Sequence, residues 1–198
     1  MSSTGDGVAT VARRPSPAAM PVVAAQRAEF DGDALIAALD ARRAERVLTW
    51  PALAEALHAQ SAELNERLGG AAMCSGALVR TAHRGTMSCQ YALVLLRFVG
   101  RPPEDFLTAP GRHTGDARLP HAGPGHRLRF DLPALHAALN ARRVEVGRTW
   151  AGLAGELGCT PARLTNLRTA HLADMGLVVR VAQWLGVPAA AFVRRTEW

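Results

Sequence analysis

The chain's capacity for chemistry rests on its arginines. All 23 of its Lys-plus-Arg residues are Arg, set against 17 Asp and Glu, for a formal charge of +6 over 198 residues. A guanidinium stays charged at physiological pH and pairs bidentately with phosphate, so this balance favours a polyanionic partner. Nucleic acid answers that description, and so does an acidic protein. The other reactive residue types are not arranged for catalysis or metal binding. Cys74, Cys89 and Cys159 are odd in number and form no CxxC pair, which argues against a disulfide framework or a zinc site. Cys74 and Cys89 have apolar neighbours and read as core residues. His83 and His171 have no second ligand at suitable spacing and read as solvated. With no nucleophile and base at matching positions, no phosphate loop and no paired carboxylates, neither enzymatic activity nor a cofactor is expected. No run approaches 18 apolar residues, so no membrane span is expected and a cytoplasmic, soluble protein is.

The elements that must position these arginines come in two copies. At a shift of 100 residues, Phe30-Asp31 matches Phe130-Asp131, and Ala34, Leu35, Leu39, Arg42, Arg43 and Glu45 recur as Ala134, Leu135, Leu139, Arg142, Arg143 and Glu145. Thr49-Trp50, Leu53, Ala54 and Leu57 recur as Thr149-Trp150, Leu153, Ala154 and Leu157. At a shift of 88, residues 80–83 equal 168–171, and Met87 faces Met175. Gly100, Pro102 and Phe106 then face Gly186, Pro188 and Phe192 at a shift of 86. This organisation predicts a flexible N-terminal segment (1–29), copy one (30–107), a Pro- and Gly-rich linker (108–129) and copy two (130–198).

Copy two shows no period-two alternation long enough for a strand, so an all-α class is expected. Asp131 is placed to cap a helix over Leu132 to Val146, with Pro133 tolerated in its first turn. Thr149 caps a short helix from Trp150 to Leu157 that Gly158 ends. Thr160 caps a third beginning at Pro161, Asp174 or Met175 starts a fourth through Leu185, and Pro188 opens a last short one carrying Phe192.

The segment TWAGLAGELGCTPARLTNLR at 149–168, followed by VAQWLGVP at 181–188, resembles the Cro/lambda-repressor (XRE) type of helix-turn-helix protein. Its physical content can be read directly. Ala154 is small where two helices cross, Gly158 makes the turn four residues later, and Leu153, Leu157, Leu164 and Leu167 fill the angle between them. The resemblance implies two tandem lambda-repressor-like domains of about five short helices each, acting as a transcriptional regulator on double-stranded DNA. It also implies that the second helix of the motif, capped by Thr160, enters the major groove. Carried over, the base-facing positions are Pro161, Ala162, Arg163, Thr165 and Asn166. Arg163 suits guanine, Asn166 adenine, and Thr165 or Ala162 a thymine methyl. The phosphate-facing positions are Thr149, Trp150, Arg168 and His171. Trp150 stands where a polar residue is usual, and its recurrence as Trp50 favours a structural plug. Arg142 and Arg143 recur at a helix end, where cations suit the dipole and solvent without any ligand.

Copy one departs from the pattern. His58 occupies the turn-glycine position, and the helix is expected to run on to about Leu68 before Gly69-Gly70 breaks it. Its third helix, near Ser75 to Arg80, offers few polar groups. Copy one therefore either contacts DNA backbone through Arg80, Arg84 and Arg97 or, as favoured here, serves packing and dimerisation. The two copies are expected to pack against each other as a pseudo-dimer within one chain, with a homodimer as the alternative; the rival function is a protein-protein adaptor that keeps the fold without reading DNA and takes a regulatory protein as partner.

Overall fold

The structure, a computed structural model, describes residues 28–69, 87–109 and 118–198. The expected third helix of copy one, with Cys74, Arg80, His83 and Arg84, lies outside them, as does the segment up to residue 27. The described residues are mostly helical. Copy one forms α1 (Gly32–Glu45), α2 (Trp50–Ala59), α3 (Ala62–Leu68) and α4 (Cys89–Val99), followed by a 3-10 turn at Pro103–Phe106. Copy two forms β1 (Arg127–Phe130), α5 (Leu132–Glu145), α6 (Trp150–Leu157), α7 (Pro161–Thr165), α8 (Met175–Leu185) and β2 (Val193–Thr196), with 3-10 turns at Asn166–Arg168 and Ala189–Phe192.

Local capping chemistry sets where these helices begin. Asp31 and Asp131 accept from the N–H groups of Ala34 and Ala134 at 2.8 and 3.0 Å. Thr49 and Thr149 do the same for Ala52 and Gly152 at 3.3 and 3.1 Å, and Ser88 and Asp174 for Tyr91 and Leu177 at 3.3 and 3.1 Å. Each satisfies a backbone donor that the first turn leaves without an intrahelical partner. Between the caps, Leu35, Leu39, Leu135 and Leu139 are fully buried in one continuous core that draws on both copies. Each such leucine contributes about 1.5–3 kcal/mol relative to an exposed one.

The corner after the first helix places a glycine in copy two where copy one has a β-branched residue. Gly147 sits at φ 66°, and its counterpart in copy one is Val47 at φ 54°, a β-branched residue in the left-handed region. Val47 is 91% exposed, so no packing offsets that strain. Val47→Gly is expected to stabilise the protein by about 1 kcal/mol, because relief of the strain exceeds the entropy cost of glycine in the unfolded chain. Thermal unfolding should register this as a rise of about 2–4 °C at this chain length; a fall would show that Val47 is not strained.

Four sequence expectations are corrected. First, a strand pair exists: β1 and β2 run antiparallel, with Arg127 opposite Thr196 and Phe130 opposite Val193. Leu128 and Phe130 do alternate inward along β1, but four residues are too few to stand out by periodicity, and Val193–Thr196 has no alternation. Second, α2 does not extend to Leu68. It breaks at Gln60-Ser61, where the Ser61 hydroxyl donates to the His126 carbonyl at 2.6 Å instead of capping α3. Third, Met87 does not match Met175. The two fourth helices are each eleven residues long and share the 86-residue shift throughout, Ser88 being the cap that corresponds to Asp174. Fourth, residues 127–129 of the expected linker belong to β1, and residues before them dock on copy one: the Leu64 N–H donates to the Pro124 carbonyl at 3.3 Å.

The copies meet around that shared cap. The Cys89 N–H donates to the Ala173 carbonyl and the Met175 N–H to the Met87 carbonyl, both at 2.8 Å. Under the 86-residue shift each bond is the image of the other, so a local two-fold axis passes between Ser88 and Asp174. Away from it the contacts are not symmetric. The Gln90 side chain donates to the Phe130 and His171 carbonyls at 3.3 and 3.0 Å and accepts from the Phe130 N–H at 3.0 Å. Arg180 of α8 pairs with Glu29, and the Ala189 N–H donates to Glu104 at 2.7 Å.

Candidate nucleic-acid interface

In copy two, α6 and α7 are joined by Gly158, Cys159 and Thr160. Gly158 takes φ 64° and ψ 42°, a conformation that favours glycine and that turns the chain sharply enough for α7 to pack back on α6. Thr160 is extended and accepts from the Arg163 N–H at 3.4 Å. Leu153, Ala154, Leu157, Leu164 and Leu167 are all buried. The opposite side of the α7 segment is exposed along its length: Pro161, Ala162, Arg163, Thr165, Asn166 and Arg168. One face is thus committed to the core and the other carries two guanidinium groups, a carboxamide and a hydroxyl.

The side chains on that outer face are not equally free. The Thr165 hydroxyl donates back to the carbonyls of Pro161 and Ala162, both at 3.3 Å, which leaves its methyl for contact. Arg163 Nη2 lies 3.9 Å from Asp174 Oδ1, and that oxygen already accepts from the Leu177 N–H, so the arginine is only loosely held. Arg168 has no carboxylate partner among the described residues. Thr149 and Thr160 both spend their side-chain oxygens on capping, and each remains exposed. His171 is exposed, but its carbonyl is held by Gln90 and its ring stands edge-on to Trp198 at 6.3 Å.

Trp150 is a packing residue. Its ring is half-buried against the core, stacks on His136 at 5.4 Å between centroids and carries the Arg143 guanidinium 4.6 Å from its centre. Burial, and then the charges of Arg168 and Arg143, push the His136 imidazole below its ordinary pKa. His136 and Arg143 both lie against the Trp150 ring, at the N-terminal end of α6. Arg143 has a task that its helix-end position did not reveal: it donates to the Arg148 carbonyl at 2.7 Å and to Asn140, locking the corner between α5 and α6. Arg43 repeats this in copy one, donating to the Leu48 carbonyl at 2.6 Å with its guanidinium 5.0 Å from the centre of Trp50. The only signal for it in the sequence was the joint recurrence of Arg and Trp at the same spacing.

No family model, curated protein or solved structure matches the chain. Among the described residues, no three His, Cys, Asp or Glu side chains converge as metal ligands, and no helix is long and apolar enough to cross a membrane. Glu156 of α6 pairs with Arg148 at 2.8 Å and accepts from the Trp184 indole at 3.0 Å. Arg97, a candidate backbone contact in copy one, is directed inward. Its guanidinium donates to Ser61 Oγ and to the carbonyls of Gln60, Ala122, Gly123 and His126, so it is not available to a phosphate.

Proposed function

We propose that the chain is a DNA-binding regulator of the Cro/lambda-repressor helix-turn-helix type, with copy two as its reader. The observation that carries this is the division of residues 161–168: Leu164 and Leu167 buried, and Arg163, Asn166 and Arg168 exposed, with no carboxylate partner for Arg168 among the described residues. In this reading α7 enters the major groove. Arg163 takes a guanine edge, Asn166 an adenine edge, and the Thr165 or Ala162 methyl a thymine. Arg168 and the exposed Thr149 face phosphate, while Trp150 and His136 fix the height of α6 beneath them. Copy one braces the reader through α4 and contributes no base contact from its described residues.

The test is a salt titration of duplex binding. Affinity of the full chain for genomic DNA fragments should fall with a log-log slope of about −2 or steeper, since each neutralised phosphate contributes roughly −0.9. A flat response, or no binding at low salt, would favour a protein partner. That second reading has its own observation, Leu172, which lies four residues beyond Arg168 and is 63% exposed.

A further inference from the structure

Where copy one meets β1 there is a cleft of about 320 Å³, at the small end of the range typical of ligand pockets. Its apolar wall includes Leu57, Val94 and Leu128, and its polar rim holds Arg97, Arg127 and Arg129. Among the described residues, no Asp or Glu lines it and none of the three arginines has a carboxylate partner. Their hydrogen bonds differ in a way that matters. Arg97 is saturated by carbonyls and Ser61, so it supplies charge but no vacant donor at either terminal nitrogen. Arg127 spends one terminal nitrogen on Asn65 Oδ1, and Arg129 spends Nε on the Trp198 carbonyl while its plane rests 5.1 Å from the Trp198 ring centre. Both keep terminal N–H groups with no protein acceptor among the described residues. Arg127 and Arg129 are two apart on one strand, so they emerge on the same face of the sheet.

We propose that this cleft binds a small amphipathic anion, its head group held between Arg127 and Arg129 and its apolar body lying against Leu57 and Val94. A carboxylate and a phosphate monoester share that chemistry. The arrangement explains why like charges are gathered at a partly buried place: burial and then the neighbouring Arg127 both push the Arg129 guanidinium below its ordinary pKa, a cost that a bound anion offsets. The site does not depend on DNA binding, since none of its residues belongs to the α7 face. Because its walls come from α2, α4 and β1, an occupant touches both copies at once.

The experiment is calorimetric titration of the full chain with four probes: benzoate, phenyl phosphate, benzamide and inorganic phosphate. One or both of benzoate and phenyl phosphate should bind with one-to-one stoichiometry, and which of them binds identifies the head group. Benzamide, which lacks the charge, and inorganic phosphate, which lacks the apolar body, should each bind about tenfold or more weakly. Arg127→Gln should weaken the anion by about tenfold, the loss expected of one charge-assisted hydrogen bond. Val94→Phe keeps every charge but fills the space, and should abolish binding. Either variant decides the matter if the other fails to fold. The proposal is overturned if no aromatic anion binds at millimolar concentration, if benzamide binds as well as benzoate, or if inorganic phosphate binds as well as phenyl phosphate. It is equally overturned if a folded Arg127→Gln or Val94→Phe protein binds unchanged.

Discussion

The double substitution Arg163→Ala with Asn166→Ala should lower the ratio of specific to non-specific duplex binding by about thirtyfold or more, because each of the two lost base contacts costs about 1–3 kcal/mol. The fold should be unaffected. Neither side chain is buried, Asn166 makes no side-chain hydrogen bond among the described residues, and Arg163 has only the 3.9 Å approach to Asp174. Non-specific binding should also fall, but modestly, since one guanidinium is removed while Arg168 and the rest of the basic surface remain. The measurement is competitive binding of a selected duplex against random sequence, at fixed salt, on a variant whose melting temperature matches the parent. Unchanged selectivity would remove α7 from the groove.

The largest effect on stability is expected at Arg97. Its guanidinium joins the break between α2 and α3 to the segment ahead of β1, through Gln60 and Ser61 on one side and Ala122, Gly123 and His126 on the other. Arg97→Met keeps much of the volume and removes every donor. Several carbonyls then lose a partner at a half-buried site, and unfolding free energy should drop by about 3 kcal/mol or more. Denaturant titration gives the magnitude. Amide exchange at Leu64 and His126, whose N–H groups bond to the Pro124 and Gly123 carbonyls, should accelerate further than exchange in α5, because the loss is local before it is global. Equal acceleration in both places would mean that Arg97 does not hold the segment.

How much of this could be read from the sequence depended on how local the physics was. Asp131, Thr149, Thr160 and Asp174 each act on a backbone N–H three residues away, so the helix starts of copy two followed from residue type and position alone. Gly158 and Gly186 ended α6 and α8 for the same reason. What escaped was non-local. The strand pair joins residues more than sixty positions apart and is four residues long, leaving no pattern to detect. Arg97 looks like any cation in the last turn of a helix, and its burial follows only from a Pro- and Gly-rich stretch lying over it. Such a stretch lacks regular structure but still carries carbonyls that need donors. The outer face of α7 was legible because its inward leucines fixed which residues remained outside; that Thr165 turns its hydroxyl back on its own helix was not.

The reciprocal bonds around Ser88 and Asp174 have a further consequence, which concerns dilution. Between separate chains, a two-fold contact of this kind would form and dissolve with protein concentration. Here both halves of the contact belong to one polypeptide, so the partner's effective concentration is set by the intervening chain and not by expression level. A single molecule in an otherwise empty volume still holds copy one against copy two, and the face that copy two presents does not change with dilution.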